Sequence, residues 1–291
     1  MLLILFLLAL AILWQWLELK QLRLTTYAVR KSGVQVPLSF AVLGDLHDFT
    51  YGKDNSRLFR MIKETSPDAI LIPGDLMTSF YHKPANLEKG LFVLENLVQI
   101  APVYYSYGNH ESRIARRDGE EGKAYEAFYE KACALGVHFV NNTAAFFEKD
   151  GFRVEIAGLT IGREYFARGK KLTMEESYVK SLLPVKKEGD FRILLAHNPM
   201  YFPAYRCLRS DIVLSGHNHG GLVRIPGIGS IVSPQLELFP KYDAGRFDEE
   251  GQTLLVTRGA GTHTYHIRIF NRAEVLLVKV LPEETEHEHA I

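Results

Sequence analysis

The segment SGHNHGG, residues 215–221, sets His217 and His219 one residue apart between glycines. Imidazole near neutral pH serves as a metal ligand or an acid–base group. Four other segments carry residues of the same chemical kind: GDLH (44–47), GD (74–75), GNHE (108–111) and AHNP (196–199). Together they supply Asp45, His47, Asp75, Asn109, His110, His197, His217 and His219. The set offers carboxylate oxygen, amide oxygen and imidazole nitrogen, with no thiolate. That mixture suits two divalent ions such as Mn, Fe, Zn or Co, and is too rich in nitrogen for Ca or Mg as the preferred ion. The groups exceed the needs of one ion. Two ions roughly 3.5–4 Å apart, one carboxylate bridging them, would use them all. Such a pair acidifies a shared water and clamps oxygens on both sides of an in-line displacement. Hydrolysis of phosphate esters is the reaction it serves best.

These segments need rigid elements to aim them. Each follows an apolar run that reads as a buried strand: LSFAVLGD, AILIPGD, VYYSYGNHE, FRILLAH and DIVLSGH. Between them lie helical spacings in SRLFRMIKETSPD, NLEKGLFVLENLVQI and EEGKAYEAFYEKACALG, closed by Pro67, Pro102 and Gly136. Alternating strand and helix predicts an α/β sheet with its ligands at the carboxyl ends of the strands. Further runs in RVEIAGLTI, GSIVSP, TLLVTRG, HIRIF and EVLLVKV predict a β-rich second half. If the strand ends stay extended, Asp45 and His47 face one side together, as do His217 and His219. The tail provides a control. His287 and His289 have the same spacing, but they sit among glutamates with no apolar strand before them. Binding a metal there would carry the full ordering entropy.

The ordered series GDLH, GD, GNHE, H and GHNH resembles the calcineurin-like metallophosphoesterase superfamily. The later segments GGLVRIPGIGSIVSP, FPKYDAGRF and TRGAGTH resemble its bacterial membrane-anchored branch, which includes YkuE-like and YaeI-like phosphodiesterases. The resemblance implies a four-layer αββα sandwich, two mixed sheets with helices outside. It implies that Asp45, His47 and His219 hold one metal, that Asn109, His197 and His217 hold the other, and that Asp75 bridges them. His110 would contact the phosphate and protonate the leaving oxygen, with Glu111 orienting it. Attack would come from a metal-bridging hydroxide. Tyr51, Lys53 and Arg113 are candidates for contact with the substrate.

Composition narrows the partners. Lysine plus arginine equals aspartate plus glutamate, so nothing predicts a nucleic-acid partner. Cys133 and Cys207 form no disulfide framework, and Cys133 reads as a small buried hydrophobe. Residues 1–17 are apolar apart from Gln15, with Trp14 and Trp16 near the end, which predicts an uncleaved single-pass transmembrane helix. Lys20, Arg23, Arg30 and Lys31 follow it and predict a catalytic domain on the cytoplasmic face of the cell membrane. Residues 18–37 read as a connector, 38–281 as one domain and 282–291 as a polar tail. The expected activity is that of a phosphodiesterase or pyrophosphatase on a membrane-proximal or lipid-linked substrate. A phosphomonoesterase with the same metals and a non-catalytic membrane-bound scaffold are the alternatives.

Overall fold

Apolar strands alternate with amphipathic helices from residue 38 onward, and the fold follows from burying both. A computed structural model describes residues 2–80, 84–169, 172–221, 223–262 and 266–283. Its strands are β1 (Leu22–Lys31), β2 (Leu38–Val42), β3 (Ala69–Ile72), β4 (Val103–Tyr105), β5 (Val137–Phe139), β6 (Thr143–Lys149), β7 (Phe152–Leu159), β8 (Phe191–Ala196), β9 (Ile212–Ser215), β10 (Arg224–Ile225), β11 (Gly229–Ser230), β12 (Gly245–Glu249), β13 (Gln252–Val256) and β14 (Ala273–Pro282). Its helices are α1 (Leu2–Leu19), α2 (Ser56–Glu64), α3 (Leu87–Leu97), α4 (Asn109–Ile114), α5 (Gly119–Ala134), α6 (Glu176–Leu182) and α7 (Phe202–Tyr205).

Two six-stranded mixed sheets result, in the orders β1-β14-β2-β3-β4-β5 and β12-β13-β9-β8-β7-β6. Period-two burial stacks them. Phe40, Val42 and Leu71 of the first sheet meet Ile193, Leu195 and Leu255 of the second. The alternate residues face outward. Ala41, Ile70 and Ile72 pack under Leu58 and Ile62 of α2, Leu94 of α3 and Phe128 of α5. Leu194, Leu254 and Val256 pack under Val179 of α6 and Phe202 of α7. Strands with both faces covered read as near-continuous apolar runs, and these do, apart from a few buried polar side chains such as Arg192, which pairs with Glu155. Three cores between four layers make the expected αββα sandwich. Local signals agree: Asn86 caps α3 by accepting the Lys89 amide at 3.0 Å.

Several expectations change. The connector expected over 18–37 contains β1, which pairs in parallel with β14 from Leu22↔Ala273 to Lys31↔Pro282. HIRIF forms no strand, since Arg268 turns inward to bind carbonyls; only Ile269 bridges, to Val223. GSIVSP yields just the two residues of β11. Cys133 is exposed rather than buried. The apolar N-terminus is helical as α1, yet among the described residues no helix is long and apolar enough to cross a membrane. The expected spanning anchor is corrected to that extent. The end of α1 sits on the domain instead, where buried Glu18 receives Arg272 at 3.3 Å and Trp14 meets Phe270. The tail beyond 283, with His287 and His289, lies outside the described residues, as do His82 and His263.

Candidate metal centre

The five ligand-bearing segments leave the carboxyl ends of β2, β3, β4, β8 and β9. Adjacent parallel strands hold their loops in register. The Asp45 amide donates to the Gly74 carbonyl at 3.1 Å and the His47 amide to that of Asp75 at 3.2 Å. In the second sheet, the Gly216 amide after β9 likewise donates to the His197 carbonyl after β8 at 3.0 Å. The extended geometry expected for the close pairs does not hold. Asp45, His47, Asp75, His217 and His219 all have φ between 48° and 66°. Left-handed backbone at residues other than glycine costs about 1–3 kcal/mol each and collects at functional sites. Here it folds each chain back so that neighbouring side chains converge on one point.

Convergence is tight. Asp45, His47 and His219 place ligand atoms within 4.8 Å of one another, and so do Asp75, His197 and His217. A third such group, His47, Asp75 and His110, joins the two. His47 Nε2 lies 3.1 Å from His219 Nε2, and Asp75 Oδ2 lies 3.0 Å from His197 Nε2 and 3.6 Å from His47 Nε2. Asp75 therefore stands between the two groups. Asn109 opens α4, and its buried Oδ1 has no hydrogen-bond partner among the described residues.

The residues fit a pair of metal ions. His197 Nδ1 faces the Pro73 carbonyl at 3.0 Å and His219 Nδ1 faces that of Gly261 at 3.2 Å. A carbonyl only accepts, so in the neutral rings both protons sit on Nδ1 and both Nε2 lone pairs point to the centre. That is how proteins orient histidine ligands. His217 is reversed. Its Nε2 meets Gln235 Oε1 at 3.1 Å, and the Gln235 Nε2 already donates to the Tyr165 carbonyl at 3.1 Å. Nδ1 is then the atom His217 has for a metal. Sequence reasoning missed Gln235, because SPQLELFP carries no motif.

His110 differs from the ligand histidines. The Ser79 amide donates to its Nδ1 at 2.8 Å, so the ring proton belongs on Nε2. Glu111 does not occupy the orienting place expected for it. Its oxygens accept the backbone amides of Asp75 at 2.9 Å, Gly108 at 3.0 Å and Met77 at 3.1 Å, bracing the loops. The three expected substrate residues also part company. Tyr51 is buried, donating to the Ala260 carbonyl, and belongs to the core. Lys53 is exposed in the turn before α2. Arg113 donates to the Ser79 carbonyl at 3.0 Å and hydroxyl at 3.2 Å, holding the residue that holds His110.

Without metal, burial dominates the charges. It raises Asp45 to about 7, against the pull of His197. Burial also raises Glu111 to about 7, with Asp75 adding to it. Asp75 feels the same burial, but His197, His110 and His47 hold it well below the usual carboxylate range. His197 is pulled down by burial and up more strongly by Asp75, ending at about 9. Two carboxylates and several imidazoles in one buried pocket want added positive charge, which a divalent ion provides.

The comparisons agree with the geometry. The "Phosphodiesterase YaeI" of Escherichia coli K12 is 25% identical over 268 residues, covering 91% of this chain and 89% of the relative. The "Uncharacterized metallophosphoesterase YkuE" of Bacillus subtilis is 24% identical over 79% of this chain and 73% of the relative. A "Transmembrane protein with metallophosphoesterase domain" from Danio rerio is 27% identical, covering 82% of this chain and 52% of the relative. The calcineurin-like phosphoesterase family matches residues 38–221, from the start of β2 to the glycines after His219, and the chain belongs to that family of metal-dependent hydrolases.

Proposed function

We propose that this chain is a phosphodiesterase or pyrophosphatase acting on a membrane-proximal or lipid-linked substrate. The observation that carries the reaction is the pair of converging ligand groups joined by Asp75. Asp45, His47 and His219 would hold one ion and Asn109, His197 and His217 the other. Two bound divalent ions supply Lewis acidity at the phosphorus oxygens and an acidified water for in-line attack. The chain's own residues do the rest. His110, whose Nδ1 accepts the Ser79 amide, turns its Nε2–H toward the leaving oxygen and stabilises the charge that develops there by hydrogen bonding. Arg113 keeps Ser79 in place. Glu111 ties the loops after β3 and β4 so that Asp75 and His110 keep their separation.

The diester preference is supported by the name of the Escherichia coli relative. The membrane-proximal substrate is supported by the exposed apolar side chains of α1 and by the name of the Danio relative.

Manganese-dependent release of p-nitrophenol from the bis-p-nitrophenyl diester, faster than from the monoester, is the expected activity. Asp75→Ala should abolish both activity and bound metal. His110→Ala should keep two metals per chain, read by elemental analysis, and lose about 10²–10⁴ in kcat. Undiminished turnover in either variant would overturn the assignment.

A further inference from the structure

The loop that carries Gln235 has two faces. Gln235 is 4% exposed and bonded to His217, whereas its neighbours Leu236, Leu238 and Phe239 are between 61% and 69% exposed. The β10–β11 hairpin beside them ends in Ile228, also 69% exposed. Phe270 continues this apolar rim to Trp14 near the end of α1, their rings 5.1 Å apart. Soluble surfaces rarely gather such side chains into one contiguous face without a partner.

The cleft behind the rim is basic. Arg23, Arg224, Arg258, Arg272 and Lys241 line it together with Glu18 and Asp243. Most of these cations have a carboxylate: Arg23 has Glu274, Arg224 has Asp243, Arg272 has Glu18 and Lys241 has Glu249. Arg258 has no ion pair within 4 Å among the described residues. It is half-buried, which disfavours its charge; Glu274 acts for that charge, while Arg23 and Arg224 act against it. A cation that is partly desolvated and faces other cations favours an anion in the cleft. Apolar side chains projecting beyond a basic recess match the boundary between acyl chains and anionic headgroups.

We propose that this face docks on a bilayer containing anionic phospholipid, with Ile228, Leu238 and Phe239 entering the acyl boundary and the cleft receiving a lipid phosphate. Because Gln235 links the same loop to His217, docking sets the metal centre beside the membrane surface. That orientation rests on the metal-centre reading above, whereas docking does not.

Flotation of the full chain with vesicles tests it. The native chain should bind phosphatidylglycerol–phosphatidylcholine vesicles at least about tenfold more strongly than phosphatidylcholine alone. Ile228→Ser with Phe239→Ser should lower that partition by about tenfold, with α1 intact and hydrolysis of the soluble diester unchanged. Leu238→Ser, read the same way, keeps the test open should the double variant misfold. Arg258→Gln should weaken binding to the anionic vesicles only. Native partition in the loop variants would assign binding to α1 alone and overturn the proposal. Equal binding to both vesicle types would overturn the phosphate site. Vesicle binding by a native chain without diesterase activity would refute the metal-centre reading and leave docking standing.

Discussion

At the scale of single residues, the site depends on which ring nitrogen of each histidine is turned inward. His197 and His219 have that choice made by backbone carbonyls, which no substitution of a side chain removes. His217 is met by an amide side chain, that of Gln235. Gln235→Leu should therefore leave the fold intact, because a buried residue of similar size replaces it. It should lower metal affinity by about 10–100-fold through the His217 group. Titration with manganese followed by calorimetry reads this directly. Retention of both sites at native affinity would show that His217 is held by something else. Nothing in SPQLELFP announces that role, because a contact between residues 18 apart leaves no periodicity to detect.

At the scale of elements, legibility divides between strands and loops. The strand cores of β2, β3, β8 and β9 were readable because strands covered on both faces must be apolar, and their polar ends then stand out. β1 was not readable as a strand: its exposed and part-buried positions, as in Arg23, Thr25 and Tyr27, look like a linker until β14 is beside it. The left-handed turns were missed too, since aspartate and histidine tolerate that region without the glycine that usually marks it. The glycines beside the ligands do show why the turns are so close. A Cβ built on Gly216 would stand 2.2 Å from Asp45 Oδ2, and one on Gly108 would stand 2.1 Å from Asp75 Oδ1. Gly216→Ala should push Asp45 off the His217 amide that it accepts at 3.0 Å. The expected result is a folded chain, by circular dichroism, that has lost one metal per molecule by elemental analysis. Two metals retained would show that the β9 loop shifts freely, against the stitched loops described above.

At the scale of the whole molecule, the buried pocket sets how stability responds to pH. In the metal-free chain, Asp45 and Glu111 ionise near 7 rather than near their ordinary values of 3.8 and 4.5. The folded state thus holds protons that the unfolded state has released, so their contribution is full below about pH 4 and is lost as pH climbs to about 7. His197 acts in the same direction over a later window, from its ordinary 6.5 up to about 9. Asp75 has the opposite sign, since its pKa is depressed; its contribution is present above 3.8 and is lost only in stronger acid. Over the physiological range these signs agree, and the Tm of the chelator-treated chain should fall steadily from pH 5 to pH 9. Metal reverses the trend. Its ligands must shed their protons to bind, so affinity grows with pH, and stabilisation grows as the logarithm of the ratio of free metal to Kd. With manganese in excess, the Tm difference between loaded and stripped protein should be small at pH 5 and widen through pH 8. A stripped chain whose Tm rises over that interval, or a metal effect that shrinks with pH, would mean that the buried carboxyls and His197 do not form one metal-demanding pocket.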